Sequence, residues 1–249
     1  MNQYFNLTRF GYLLRKHLTE QALSYLLSAA VLLGAMLVVM GFLTFLQNSP
    51  PGEIGQSVLA ILFALGAGSY FTSTAFGQLG AGRQAALALT LPASQVEKYL
   101  VAWLVSLPVF LVVFVVVFYA ADWLIQSLAS HPQPIVNIFT PETGQLLLVY
   151  LVVHGAALWG SIFYNRLQFV KTASVGLLAA AVIGFVNFRV LKSLLSSDLL
   201  MALPLGDARF NNATLSLPEA QQAWLGLVPL ALAGLLWAAA YARLTEKQI

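Results

Sequence analysis

The chain has 249 residues, of which 59% are hydrophobic and 8% charged, with a net charge of +3 and no cysteine. So little charge leaves no room for a separate soluble domain, and the lack of cysteine excludes disulfides and thiolate metal sites. The small positive excess reads as a membrane-orientation signal, not as a nucleic-acid-binding surface.

Residues 5–21 read as an amphipathic helix. Leu7, Phe10, Leu13, Leu14 and Leu18 fall in one arc at 100° per residue, and Arg9, Tyr12, Arg15 and Lys16 lie opposite. Such a helix is expected to lie on the inner leaflet before the chain turns into a first apolar run at 22–46. That run is too long for a signal-peptide core and no small-x-small cleavage site follows it, so the first span is expected to stay in the mature protein. A breaker-rich turn, Ser49-Pro50-Pro51-Gly52, then leads into a second run at 56–78.

The second run carries small residues at helical spacing, Ala60, Ala64, Gly68 and Thr72, and a fifth run at 172–188 does the same with Gly176, Ala180 and Gly184. Stripes of this kind let helix backbones approach closely in lipid, within one subunit or between two. Between the second and third runs, Arg83 to Leu89 is rich in Ala, Leu and Gln, which predicts a short helix that Pro92 stops. Ser94 with Glu97 three residues on forms a capping box at the start of the third run, 99–121. Thr140-Pro-Glu-Thr143 starts a fourth run at 145–164, and Ser216-Leu-Pro-Glu219 a sixth at 222–242. The stretch Leu191–Leu205 is too polar to span and too apolar for a solvated loop, so it is placed at the outer leaflet.

Each of the six runs is near the ~20 residues that a helix needs to cross the hydrocarbon core. Alternate gaps and both ends hold nine cations: Arg9, Arg15, Lys16, Arg83, Lys98, Arg166, Lys171, Arg243 and Lys247. The opposite gaps hold three, Arg189, Lys192 and Arg209, which puts both termini in the cytoplasm. The expected fold is therefore all-α: one polytopic domain over 1–249 with six transmembrane helices, an N-terminal interfacial helix and a short cytoplasmic helix.

His154, near the middle of the fourth run, is a candidate intramembrane polar site, since an ionisable group there is costly. The bland reading is a neutral imidazole hydrogen-bonding across helices. Asp122, beside Trp123, is expected at the outer interface among the aromatic belt. Pro108 and Pro229 fall inside the third and sixth runs, where proline frees a carbonyl and kinks the helix unless neighbours satisfy it.

The order of parts resembles the permease subunit of type 2 ABC exporters, the ABC-2 family. Locally, Leu91-Pro92-Ala93-Ser94-Gln95-Val96-Glu97-Lys98 is similar to that family's L-P-x-S-x-x-E/K signature leading into the third span. The resemblance covers the whole chain in topology and about 16 residues in motif. It implies a homodimer or heterodimer of permease subunits in a bacterial inner membrane, driven by a separate ABC-type ATPase. It also implies that the entry helix (Arg9, Arg15, Lys16) and the short helix dock on that ATPase. Coupling then falls to Arg83, Gln84 and Leu87, with Ser94, Glu97 and Lys98 at the exit. This sequence departs from the family where the fifth run is short and where Arg189 and Lys192 interrupt the segment that usually holds paired re-entrant helices.

The sequence has no G-x-x-x-x-G-K-[ST] phosphate loop, so it binds no cofactor of its own on this reading and ATP belongs to the partner. Its partners are then that ATPase, a second permease subunit and the bilayer, with no nucleic acid. Three other classes compete. A membrane-embedded enzyme needs a catalytic cluster at one depth, and an ion-coupled secondary transporter needs several midplane charges, of which only His154 qualifies. A non-transporting scaffold that anchors an ATPase or secretion machine needs neither.

Overall fold

The apolar runs are carried by helices in the computed structural model, which describes residues 5–76, 94–194, 199–202, 208–210, 214–215 and 219–246, with backbone alone at 141–146, 219–225 and in the strands. Helix α1 is Leu7–Gln47, α2 Glu53–Thr74, α3 Gln95–Leu128, α4 Pro141–Phe163, α5 Gln168–Leu194 and α6 Glu219–Glu246. All but α4 are long and apolar enough to cross a membrane, and α4, of 23 residues, carries an apolar stretch at Leu147–Phe163. The chain is a multi-pass membrane protein by length and composition of its helices.

The expected turn between an interfacial helix and the first span is absent. Residues 7–47 form one continuous 41-residue helix, about 60 Å long at 1.5 Å per residue and so twice the hydrocarbon thickness. The physical reason lies in the sequence: no proline or glycine stands between Tyr12 and Leu33 to break the ladder. Asn6 caps the start, its side chain accepting from the Thr8 and Arg9 amides, and Asn48 ends the helix in the left-handed conformation at φ 54°.

The fifth span is not short. Helix α5 has 27 residues and takes in Arg189 and Lys192, which were expected beyond its end. These cations fold back over the rings of Phe185 and Phe188 one turn earlier, at 5.2 and 5.8 Å, so the helix continues through them. Beyond it the chain departs from pure helix: β1 (Leu199–Ala202), β2 (Ala208–Phe210) and β3 (Thr214–Leu215) make a small antiparallel sheet in the order β1-β2-β3. Leu199 pairs with Phe210 and Ala202 with Ala208, with a bulge between Leu199 and Met201.

Helix α4 is the hub, packing most extensively on α6 and also on α2 and α5, while α1 lies along α3. The close crossings use glycine: a Cβ on Gly68 of α2 would stand 2.6 Å from the Tyr150 ring, and one on Gly155 of α4 would stand 2.9 Å from Leu236. The two small-residue stripes thus divide. Ala60, Gly68 and Thr72 of α2 are buried within the chain, whereas Gly176 and Ala180 of α5 are exposed, Gly184 is half-buried and no residue of α5 is buried.

The core has two parts. One centres on a ladder of rings at helical spacing along α3, Phe110, Phe114 and Phe118, closed by Met36 and Met40 of α1 and Tyr150 of α4. The other joins Phe76, Tyr99, Leu158, Ile162, Ala240 and Leu244. Leu244 near the end of α6 therefore shares a cluster with Tyr99 near the start of α3, and α1 begins at this same end through Arg9. Both ends of the described chain lie at one end of the bundle, here termed the terminal end.

Candidate functional site

At the terminal end the capping box expected at the start of α3 is formed. The Ser94 hydroxyl accepts from the Glu97 amide at 3.2 Å, and the Glu97 carboxylate accepts from the Ser94 amide at 3.0 Å. The same carboxylate reaches further. Arg9 of α1 grips it in a fork, Nε to Oε2 at 2.7 Å and Nη2 to Oε1 at 2.7 Å, and the Asn6 amide donates to Oε1 at 2.8 Å. Glu97 is fully buried while the Arg9 side chain is 35% exposed. The Arg9 guanidinium first, and the Asn6 and Ser94 amides after it, hold the carboxyl down to about 2 against the opposing effect of burial.

This clamp ties the first turn of α1 to the first turn of α3, and hence fixes where the connection 77–93 re-enters the bundle. Of the expected coupling residues, Arg83, Gln84 and Leu87 lie outside the described residues. Ser94 and Glu97 are spent on the fold: the carboxylate faces inward and is covered, so it positions the segment instead of presenting a charge to another protein. Lys98 is half-buried beside them. On α1 the expected amphipathic orientation holds for Tyr12, Arg15 and Lys16, which are exposed, and Lys16 stands 3.8 Å from Glu20. Arg9 alone of the polar face turns inward.

The second constellation lies between the two core clusters. His154 is fully buried on α4, and Trp237 of α6 donates its indole N–H to His154 Nδ1 at 3.1 Å. Because indole nitrogen only donates, Nδ1 must be bare, and a neutral imidazole then carries its proton on Nε2. Nε2 stands 2.9 Å from the Ser106 hydroxyl of α3 and donates to it. Both ring nitrogens are occupied, so His154 joins three helices as a neutral group, as the bland reading expected.

Ser106 owes its place to Pro108. A proline has no N–H and crowds the carbonyl four residues back, and here α3 widens into a π-helical turn over Val105–Val109, with the Phe110 N–H reaching the Val105 carbonyl. Pro229, by contrast, is carried within α6 without a break.

At the opposite end of the bundle, buried side chains hold the extended segment 129–140. Gln56 donates to the Pro51 and Pro134 carbonyls and accepts from the Val136 amide at 2.7 Å, Gln126 accepts from the Gln133 amide, and Tyr119 accepts from the Ile138 amide. Beneath this strap lies a cavity of about 440 Å³ between α2, α3 and α4, lined among others by Ile61, Leu111, Phe114, Phe139 and Tyr150 and, among the described residues, by no charged group. Asp122, expected at the outer interface, is covered within the bundle: it is 1% exposed, and Gln126 Nε2 donates to it at 3.3 Å. Its helix face turns inward, where the ring ladder of α3 also points, because Phe118 and Asp122 are one turn apart.

Among the described residues no cluster of His, Asp or Glu is placed to hold a metal ion. None of the known protein-family models, curated proteins or solved structures matches this chain. Sequence reasoning missed Asn6, the Arg9–Glu97 pair, and the Gln56 and Gln126 staples.

Proposed function

We propose that the chain is the membrane-spanning permease subunit of an ATP-driven exporter of the ABC-2 type, with six crossings, both termini in the cytoplasm and no catalytic chemistry of its own. The observation that carries this reading is the clamp at the terminal end. Arg9 and Glu97 bind the start of α1 to the start of α3, on the exit side of the longer of the two cation-bearing connections that follow α2 and α4, 77–93. A rigid frame around such a connection is what a partner needs if its movement is to reach the spans instead of being absorbed locally. The positive-inside pattern puts that frame in the cytoplasm, where ATP is available.

A second permease subunit has a natural seat. Helix α5 buries none of its residues within the chain, and its stripe Gly176, Ala180, Gly184 stands open, in contrast to the occupied stripe on α2. On this reading α5 packs against a partner permease, and the ATPase binds at Arg83, Gln84 and Leu87. The test is purification from gently solubilised membranes of the source cell. A soluble nucleotide-hydrolysing protein is expected to co-purify in fixed ratio and to be lost with Arg83→Glu, while the permease stays folded. Full function without any such protein would contradict the reading and favour a different energy source.

A further inference from the structure

A cavity of about 100 Å³ opens near the terminal end between α1, α2 and α3. Its polar wall comprises His17, Gln21, Tyr25, Thr74 and Ser106. The Tyr25 hydroxyl and His17 Nε2 are bonded at 2.7 Å, so two of these groups are already joined across two helical turns of α1. Ser106 lies seven residues into the apolar stretch that begins at Tyr99, about 10 Å along the helix. A cleft with this lining therefore reaches well into the depth that hydrocarbon otherwise occupies, and it stops on the hydroxyl that accepts from His154.

We propose that this cleft is a hydrated inlet, a site for ordered water that links the cytoplasmic aqueous phase to Ser106 and through it to His154. Apolar cavities stay dry, but a polar one of this size has room for a few waters, each needing two to four polar partners. The Gln21 amide supplies such a partner, as does the remaining capacity of the Tyr25 and Thr74 hydroxyls, which already bond His17 and the Phe71 carbonyl, and continuous hydrocarbon could not satisfy that remainder. The π-helical turn at Pro108 serves the same end, because it brings Ser106 between the cleft on one side and His154 on the other. The inlet rests on the proposed orientation for its direction and on the cavity geometry for its existence.

The natural absence of cysteine makes the test clean, since any thiol is the one introduced. Ser106→Cys and Ala102→Cys place a thiol at the inner end and on the wall, Val116→Cys places one on a lipid-facing position that is 63% exposed, and Lys16→Cys reports which side the terminal end faces. The probe is Ag⁺, small enough for the cleft and dependent on water for access, applied to inside-out or right-side-out vesicles and scored by protection from later alkylation in denaturant. A thiol in contact with water ionises and reacts while one in apolar surroundings is inert, so Ser106→Cys and Ala102→Cys should react at least about tenfold faster than Val116→Cys from the cytoplasmic side.

If Lys16→Cys reacts from that side while both wall positions resist Ag⁺, the cleft is dry or filled by lipid: the inlet is overturned and the orientation stands. Reaction of Lys16→Cys from the outer side alone overturns the orientation, and with it both a cytoplasmic inlet and the exporter reading. Misfolding of Ser106→Cys leaves the decision with Ala102→Cys, since Ala102 takes no part in the hydrogen bonds that join Ser106, His154 and Trp237.

Discussion

Replacing Glu97 by glutamine keeps shape and removes charge from the group that joins α1 to α3. In the wild type the carboxylate accepts five hydrogen bonds, three from Arg9 and one each from the Asn6 and Ser94 amides. A glutamine has one acceptor oxygen, so its amide nitrogen must face either the guanidinium fork or the Ser94 N–H, and each of those is a donor. Hydrogen bonds to a charged group are worth about 1.5–3 kcal/mol, and solvent at the partly exposed Arg9 screens part of that, which leaves about 1–3 kcal/mol for the tie at Glu97. Local opening of the first turns of α1 should then become roughly fivefold to a hundredfold more frequent. Hydrogen–deuterium exchange of the amides from Thr8 to Leu14 reads this directly in detergent or lipid discs.

The same tie has a definite pH dependence. Glu97 has its folded value depressed to about 2 from an ordinary 4.5, so its contribution is complete above about pH 4.5 and is lost as pH falls from there toward 2. Exchange at Thr8–Leu14 should be flat in its protection between pH 8 and 5, after correction for intrinsic rates, and should loosen below that window. Unchanged exchange in Glu97→Gln would refute the clamp. So would strict additivity of Arg9→Gln and Glu97→Gln, because two groups that act on each other must show a coupling energy.

Gly68→Val should separate α2 from α4, since its Cβ meets the Tyr150 ring, and should cost about 1–3 kcal/mol in thermal unfolding; Gly176→Val, with open space around it, should leave the folded monomer unchanged and weaken only self-association measured by cross-linking. Trp237→Phe leaves His154 Nδ1 buried without a donor and should destabilise by about 1–3 kcal/mol, where an unchanged unfolding midpoint would count against the assigned tautomer. Gln56→Leu removes the bonds to Pro134 and Val136 and should expose the segment 129–140 to protease in right-side-out cells or vesicles, with the rest of the bundle intact.

The five helices long and apolar enough to cross a membrane were legible because such a helix must be a long apolar run, and the capping box at Ser94 was legible because its partners are three residues apart. The helix ends were less so. Nothing in the hydropathy of residues 172–188 signals that Arg189 and Lys192 continue the helix, because that depends on their stems lying back over Phe185 and Phe188. The amphipathic pattern of residues 5–21 marks a face, to which the exposed Leu7 and the inward-turned Arg9 are exceptions, and not a separate helix, since periodicity reports a face and only a breaker reports an end.

The clamp was partly within reach. Three acids lie on the cation-rich side: Glu20 has Lys16 four residues before it and Glu246 has Arg243 three before it, while Glu97 has no cation at either helical spacing. A distant cation was therefore required, but choosing Arg9 over Arg15, Lys16 or Arg83 needs the path of the chain. Likewise a lone histidine in a span announces a polar contact without naming Trp237 or Ser106, which arrive from helices 83 and 48 residues away in sequence.

The central claim is that the clamped terminal end passes work between an ATPase and the spans. ATP hydrolysis by whatever nucleotide-hydrolysing protein co-purifies, measured in liposomes with the wild-type chain and with Arg83→Glu, bears on it most directly. The wild type should stimulate hydrolysis and the variant, folded and inserted alike, should not; equal stimulation by both, or no nucleotide-hydrolysing partner at all, would contradict the account.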